Sequence, residues 1–442
     1  MNLDVTIVGP PRGREFARVT ITGANDLRCG LRVEAAILQK LGSLGGEVEV
    51  DLFFLGAVVY AVDRLIDRRS AEDAWTRDLQ ITVPVNAPAL WENARPTLEA
   101  CLRFLTGDHW EFHFTQRDVA LWEVDDKQKI GEAQIVSLFS GGLDSFIGIV
   151  DWLVTHPGEN ILLVGHHDPR MSGVLKDQNS VLTELEKEFP NLLIPILPFI
   201  GADQGEETTL RSRSFVFLGL GVLCASVQAG NPLLLIPENG MIALNPPLSP
   251  SRRGALSTRT AHPHYLRLYQ ALLDALEIKT KVQNPLVTKT KGESVTQCQD
   301  QVALASYMSL TNSCAKRGHT RHWKRRTAGQ CGQCMPCIYR RAALHAAGLD
   351  TEVYGNDVCT GEVDPNGTGE SSNDLRSLLN LLAENPDTEA LEDLLFANGH
   401  LDTSELSHAA ELVHRGFREV RKLFEHKGTP EIRKWISAGG VI

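Results

Sequence analysis

A glycine turn interrupts a long apolar stretch of the chain. Residues 135–154 read IVSLFSGGLDSFIGIVDWLV, with the hexapeptide Ser-Gly-Gly-Leu-Asp-Ser at 140–145 between two apolar runs. The pattern predicts a buried strand before the glycines and a helix after them. Adjacent glycines leave consecutive backbone amides accessible, and a helix start adds its positive dipole end. The stretch therefore predicts a site for a phosphate chain.

The side chains of the hexapeptide fit the same chemistry. The hydroxyls of Ser140 and Ser145 add donors to the amides of Gly141 and Gly142. The Asp144 carboxylate, together with phosphate oxygens, is a typical environment for Mg²⁺. No Gly-Lys-Ser/Thr follows, so the turn is not a Walker loop. The alternative is a helix with a glycine start and a serine cap that binds nothing.

Four of the nine cysteines lie close together in the sequence and have metal-ligand spacing. The last three form a C-x2-C-x2-C pattern, and four thiolates suit a closed, structural Zn²⁺ site. A ferredoxin pattern would need a further cysteine where Arg341 stands. Reduced core cysteines are the alternative reading. The predicted ligands are Cys314, Cys331, Cys334 and Cys337, with Cys298, Cys359, His319 and His322 in reserve.

The middle of the chain predicts the fold class. Within 131–350, four short apolar strands alternate with helical segments, a pattern typical of an α/β parallel sheet with helices on both faces. Ligands of such sheets bind beyond the carboxyl ends of the strands. Residues 1–130 mix strand-like and helical runs and predict an accessory α+β domain. After a polar linker, 366–442 predicts a helical C-terminal segment.

Composition and charge exclude several classes. The net charge of −11 over 442 residues excludes a global basic field of the kind that binds nucleic acid. The apolar run at 52–62 is too short to span a bilayer as a helix. The first residues contain no signal-peptide pattern, and nine cysteines suit a reducing compartment. We therefore expect a cytoplasmic protein without membrane association.

The hexapeptide, in its strand-turn-helix context, resembles the signature of the PP-loop ATP pyrophosphatases. With the cysteine cluster following it, residues 131–350 resemble the QueC-like, 7-cyano-7-deazaguanine synthase family. The segment RSFVFL from Arg213, the lysine stretch 284–293 and the C-G-x-C-x-x-C-x-x-R end with Arg340 support the resemblance. It implies a PP-loop (adenine nucleotide alpha hydrolase) fold that binds ATP and Mg²⁺ at 140–145 and holds a structural Zn²⁺. It further implies nucleotide contacts from Arg213 and catalytic roles for Asp144, Ser145 and Lys289. Lys291, in the same stretch TKTK at 288–291, could also neutralise phosphates, and the match to the family lysine favours Lys289.

The resemblance also implies a reaction. Family members use ATP to convert the carboxylate of 7-carboxy-7-deazaguanine into an acyl-adenylate, release pyrophosphate, and pass the acyl group to an amine. Here the segments 165–170 and 256–269 differ from the family pattern, and the chain extends beyond the family core at both ends. The long form resembles the QatC-type proteins of bacterial antiviral defence clusters. That likeness implies an acceptor amine on a partner protein from the same gene cluster.

Two other activities remain open at this stage. One is a 7-cyano-7-deazaguanine synthase that uses ammonia in queuosine biosynthesis. The other is a tRNA-modifying PP-loop enzyme, for which the basic run 316–326 is the direct hint. That run could equally bind an acidic protein segment or be a solvated loop. An inactive scaffold is a further alternative, against which the intact hexapeptide argues.

Several residues outside the motifs are candidates for ligand contacts. His166 follows the second predicted strand, where an adenine is expected, although it could be plain polar surface. Glu238 and Asn239 end the fourth strand and are predicted to face the ligand crevice. Arg259 and His262 could bind the substrate carboxylate or transfer a proton.

Overall fold

The structure is a computed structural model of the 442-residue chain. It describes residues 1–10, 12–13, 15–24, 26–41, 46–124, 130–168, 173–205, 207, 211–230, 232–248 and 259–437. Parts of the two divergent segments, 169–170 and 256–258, lie outside the described residues.

Two sheets and a set of helices make up the described part of the chain. The strands are β1 Asn2–Gly9, β2 Arg18–Gly23, β3 Arg28–Val33, β4 Asp78–Val85, β5 His109–Gln116, β6 Ile135–Leu138, β7 Ile161–Val164, β8 Leu193–Ile196, β9 Ile200–Ala202, β10 Leu234–Leu235 and β11 Val282–Gln283. The helices are α1 Ala35–Leu38, α2 Glu47–Leu65, α3 Pro88–Thr106, α4 Leu143–Thr155, α5 Val174–Glu188, α6 Arg213–Ser226, α7 Gly240–Leu244, α8 Pro263–Ala275, α9 Lys291–Thr296, α10 Gln301–Tyr307, α11 Met335–Ala346, α12 Glu370–Glu384, α13 Thr388–Phe396, α14 Thr403–Lys427 and α15 Pro430–Ser437.

A five-stranded parallel sheet, in the order β11-β10-β6-β7-β8, forms the middle of the chain. Alternate residues of its strands enter different cores. Val136 and Leu162 pack with α6 on one face, whereas Ile135 and Ile161 pack with α4 on the other. Side chains of adjacent strand residues point to opposite faces, so both faces of this sheet are covered by helices. The prediction of an α/β fold with a parallel sheet is confirmed.

The second sheet has six strands in the order β5-β4-β1-β2-β3-β9 and mixes parallel with antiparallel pairs. Five of its strands come from the first 130 residues. The sixth, β9, comes from the middle segment and pairs with β3 through Leu31 and Ala202. One hydrophobic core runs from Leu3 to Ile278 and includes both α2 and α6. The N-terminal segment is therefore packed into the middle one.

Helix α2 contains the apolar run at 52–62 and is buried along that run. It packs against α6 through two glycines. A Cβ at Gly56 would lie 3.1 Å from the Cα of Val216, and one at Gly219 would lie 3.2 Å from the Cα of Phe53. Residue numbers increase along α2 in the direction in which they decrease along α6. The two helices are therefore antiparallel, and their backbones are in contact. Among the described residues, no helix has the length and hydropathy that a membrane crossing requires.

The C-terminal segment forms four helices, α12 to α15. Their apolar faces share a core with α7 and α11 that includes Leu378, Val413 and Phe424. The segment is therefore docked on the body of the protein beside the end of the parallel sheet.

The close contact between α2 and α6 predicts that a single added methyl group destabilises the fold. Gly56→Ala places a Cβ against backbone atoms of α6, which cannot rotate away as a side chain can. Overpacking of this kind lowers the free energy of unfolding by about 1–3 kcal/mol. Denaturant unfolding followed by circular dichroism measures it. The control is Gly369→Ala, where no atom lies within 4 Å of the new methyl group; equal losses in both variants would contradict the expectation.

Candidate functional site

A cavity of about 500 Å³ lies at the carboxyl ends of β6 and β10. The direction of strand addition reverses between these two strands. β7 and β8 lie on one side of β6, and β10 and β11 lie on the other side. Parallel sheets place ligands at such switch points. The residues that line the cavity include Arg64, Ser140, Gly142, Asp144, Asp177, Arg213, Glu238, Lys291, Cys314, Arg317 and His319.

The hexapeptide forms the turn between β6 and α4, as predicted. Gly141 has φ +78°, a left-handed conformation that glycine adopts without strain. Gly142 caps α4, and its amide donates to the Ser140 hydroxyl at 3.2 Å. The hydroxyl of Ser145 lies 3.3 Å from that of Ser140 and donates to the Gly142 carbonyl at 3.0 Å. The loop is thus preorganised at the cavity wall, with a helix N-terminus behind it.

A buried ion pair stands beside this loop. The ammonium of Lys291 donates to Oδ2 of Asp144 at 2.6 Å, and the Asn239 amide donates to the same oxygen at 3.0 Å. Burial raises the pKa of Asp144, but the charge of Lys291 and the hydrogen bonds from Glu238, Lys291 and Asn239 outweigh it and hold the pKa below its ordinary value. Asp144 is therefore a carboxylate at neutral pH.

The other oxygen of Asp144 has the character of a cation ligand. Oδ1 is buried and accepts no hydrogen bond from an amide, hydroxyl or ammonium group among the described residues. Glu238 lines the same wall, and burial together with the negative charge of Asp144 raises the pKa of its carboxyl well above the ordinary value. The two carboxyl groups share a hydrogen bond, which lowers the pKa of Asp144 and raises that of Glu238, and a divalent cation would take the place of the shared proton. The donor set therefore fits Mg²⁺.

His166 and Arg213 lie beside one another at the cavity. The Arg213 Nε donates to Nε2 of His166 at 3.3 Å, and the guanidinium stacks over Phe217. Burial, then the charge of Arg213, lowers the pKa of His166 well below its ordinary value, so the ring is neutral and accepts this bond. Arg213 lines the cavity and His166 supports it from behind.

Seven residues predicted for nucleotide, substrate or catalytic contacts do not line the cavity: Gly141, Ser145, His166, Asn239, Arg259, His262 and Lys289. The first four adjoin lining residues or hydrogen-bond to them, whereas the last three make other contacts. Arg259 donates to the Phe104 carbonyl at 2.9 Å, and His262 caps α8. Burial, then Arg259, lowers the pKa of His262 to about 3. Lys289, the predicted catalytic lysine, has its carbonyl bonded to the Gly240 amide. The lysine that reaches the cavity is Lys291, two positions further on.

The four predicted cysteines converge. Their sulfur atoms all lie within 4.8 Å of one another, so the group could hold a metal ion such as zinc. The amides of Lys316 and Cys331 donate to the sulfur of Cys314, and those of Gln333 and Cys334 donate to the sulfur of Cys331. Such bonds favour thiolates over thiols. Cys298, Cys359, His319 and His322 are not part of the group.

The cysteine cluster and the hexapeptide are joined through Asn312. Its amide donates to the Gly141 carbonyl at 2.9 Å, while its side-chain oxygen accepts from the Cys314 amide at 2.8 Å. Cys314 itself lines the cavity. The segment that carries the cysteine cluster thus forms one wall of the candidate site, so an ion bound by the cluster would influence the shape of the cavity.

The basic run 316–326 divides into two groups. Lys316 pairs with Glu370, Arg317 with Asp177, and Arg325 with Glu362. The remaining basic residues are exposed and form no acidic pair among the described residues: Arg321, Lys324 and Arg326. Trp323 is buried against the cysteine cluster and anchors the run.

The C-terminal segment holds the helix that carries Lys291. Glu419 of α14 accepts from the hydroxyl of Thr290 and from the Gly292 amide, and Arg415 pairs with Glu293 at 2.7 Å. Burial raises the pKa of Glu419. These contacts bond directly to both residues that flank Lys291.

Sequence reasoning missed several residues of the site. It favoured Lys289, whereas the structure brings Lys291, the first residue of α9, to the cavity, because the start of the helix fixes where that side chain points. The capping box formed by Thr290 and Glu293 marks that start and was the available signal. Asn312 and Arg64 belong to no motif, and we find no sequence signal for either.

No protein-family model, no curated protein and no solved structure matches the chain.

The cysteine cluster predicts a stoichiometric metal. Purified full-length protein is expected to contain one zinc ion per chain, measured by inductively coupled plasma mass spectrometry, and Cys337→Ser is expected to lose most of it because one of four thiolates is removed. Cys359→Ser, a buried cysteine outside the group, is the matched control and keeps the metal. Zinc loss from Cys359→Ser, or its retention in Cys337→Ser, would refute the ligand set.

The contacts that α14 makes with Thr290 and Gly292 predict that the backbone amides around Lys291 are protected from hydrogen exchange. Glu419→Gln keeps the shape but weakens the bonds to Thr290 and Gly292, so amide hydrogen exchange in 289–296 is expected to rise several-fold. Hydrogen-exchange mass spectrometry measures it. Glu425→Gln, exposed on the same helix, is the control; equal exchange in both variants would mean that α14 does not hold α9.

Proposed function

We propose that the chain is an ATP-dependent enzyme of the QueC-like PP-loop kind. In this proposal it adenylates the carboxylate of a 7-deazaguanine, releases pyrophosphate, and transfers the acyl group to an amine. The observation that carries the proposal is the preorganised hexapeptide at the switch point of a parallel sheet, with the adjacent carboxyl groups of Asp144 and Glu238 at the same cavity.

The reaction balances without a further reagent. The substrate carboxylate attacks the α-phosphorus of ATP, and the bond to the β-phosphate oxygen breaks to release pyrophosphate. The amine nitrogen then attacks the acyl carbon, AMP leaves with the bonding electron pair, and the nitrogen loses a proton. A Mg²⁺ held by Asp144 and Glu238 would neutralise charge on the phosphates.

The residues of the chain have distinct roles in this proposal. The amides at the start of α4, with Ser140 and Ser145, bind the phosphate groups that leave as pyrophosphate. Lys291 keeps Asp144 ionised, and its ammonium adds positive charge near the reacting phosphate. Burial, then the charge of Asp144, raises the pKa of Glu238, so binding of Mg²⁺ by this carboxyl would be accompanied by loss of its proton.

The acceptor amine is proposed to belong to a partner protein in antiviral defence. The support for a partner protein is the resemblance of the long form to the QatC-type proteins. A second support is the basic run 316–326, which borders the cavity at Arg317 and His319 and carries the exposed residues Arg321, Lys324 and Arg326. A basic rim suits an approaching acidic chain segment. Ammonia-dependent nitrile synthesis and tRNA modification are the competing activities.

Pyrophosphate release tests the proposal. Purified protein with ATP and Mg²⁺ is expected to release pyrophosphate only when 7-carboxy-7-deazaguanine is present, measured by a coupled phosphate assay. Lys291→Ala is expected to lower the rate about 100-fold or more, since loss of one positioned charge at the transition state has that effect. Lys289→Ala should stay within a few-fold; the reverse ranking would restore the lysine chosen from sequence.

The competing activities give different results in the same assay. Efficient nitrile formation with ammonia and no partner would favour the synthase, and a strict requirement for tRNA would favour the tRNA-modifying enzyme. No carboxylate-dependent release under any of these conditions would contradict the proposed function. Mass spectrometry of a co-expressed partner, with wild type and with Asp144→Ala, identifies the acceptor through an added mass that the variant lacks.

A further inference from the structure

The N-terminal segment contributes a side chain to the cavity. Arg64 lies one residue from the end of α2, and Arg213 is the first residue of α6. Because the two helices are antiparallel and locked at Gly56 and Gly219, these two ends must lie together. Ser212 bonds to Oδ2 of Asp63 through its hydroxyl at 2.6 Å and confirms the alignment. Both arginines line the same cavity.

Arg64 and Arg213 differ from the other cations of the cavity because neither forms an ion pair with an acidic side chain within the described residues. Lys291 pairs with Asp144, and Arg317 pairs with Asp177. Arg64 is 9% exposed, its Nε has no hydrogen-bond partner, and it forms no ion pair within the described residues.

The nearest acid in the sequence is already engaged. Asp63 binds Arg77 at 2.5 Å and Arg68 at 3.4 Å, and its other oxygen accepts from Ser212. Asp108 completes this buried network with both arginines. The network holds the end of α2 in place and leaves Arg64 to face the cavity.

A buried guanidinium without a partner is costly to the fold, so its retention calls for a ligand that compensates it. We propose that Arg64, beside Arg213, binds an oxyanion of the ligand, either a nucleotide phosphate or the substrate carboxylate. Arginine presents a planar pair of donors that matches both groups. The carboxylate version rests on the proposed function; the phosphate version requires nucleotide binding alone.

Binding measurements on the full chain test the assignment. Wild type, Arg64→Gln and Arg64→Lys are titrated by calorimetry with three separate probes: ATP with Mg²⁺, inorganic pyrophosphate, and 7-carboxy-7-deazaguanine. Arg64→Gln is expected to raise the Kd of at least one probe tenfold or more, with a smaller rise for Arg64→Lys. Arg103→Gln, an exposed arginine of the same segment, is the control and stays within two-fold.

The three probes distinguish the source of the oxyanion. Weaker binding of ATP or pyrophosphate identifies a phosphate, and weaker binding of the deazaguanine alone identifies the carboxylate. Unchanged binding of all three, or no binding of any by wild type, would overturn the assignment. If wild type binds ATP but releases no pyrophosphate with the carboxylate, the proposed function fails while the ATP and pyrophosphate titrations still decide the role of Arg64.

Stability without ligand separates binding from a structural role. Since Arg64→Gln removes an uncompensated charge, its Tm without ligand is expected to equal or exceed that of wild type, while the rise in Tm on adding the affected probe is lost. A lower Tm with unchanged binding would mean that Arg64 only supports the fold. If Arg64→Gln does not fold, Arg64→Lys decides: weakened binding supports the assignment, and unchanged binding overturns it.

Discussion

The candidate site depends on the buried ion pair of Asp144 and Lys291. Its two members come from different ends of the parallel-sheet region, one after β6 and one at the start of α9. Taking both charges out of water is costly, and the cost is recovered only when the geometry is held firmly. Asn239 after β10 and Glu419 of α14 supply that support, directly or through the residues next to Lys291. Loss of either partner would leave one buried charge alone.

The second constraint is the close packing of α2 on α6. Glycines at Gly56 and Gly219 bring the two backbones together, which joins the six-stranded sheet to the parallel sheet in one core. Through Arg64, residues 1–130 contribute one side chain to the lining of the cavity. The cysteine cluster closes another side through Asn312. Three regions distant in sequence therefore define one space.

Local sequence patterns were sufficient to predict much of this structure. Parallel strands buried on both faces are continuous apolar runs; β7 and β10 are of that kind, and β6 departs from it only at the buried Ser137. The hexapeptide and the C-x2-C-x2-C spacing constrain their own geometry, since neighbouring residues reach one ion or one turn without help. By contrast, Arg259 and His262 have suitable chemistry but pack on α3, and their distance from the cavity depends on contacts far along the chain.

The sequence by itself determined the α/β class, the turn between β6 and α4, and the convergence of four cysteines, because each depends on short-range periodicity or spacing. Tertiary structure decided which lysine meets Asp144, because the packing of α9 on α4, α11 and α14 sets the direction in which Lys291 points. It also decided that Arg64 reaches the cavity, through an antiparallel helix contact that joins positions far apart in the chain. Long-range packing of this kind leaves no local pattern in a sequence.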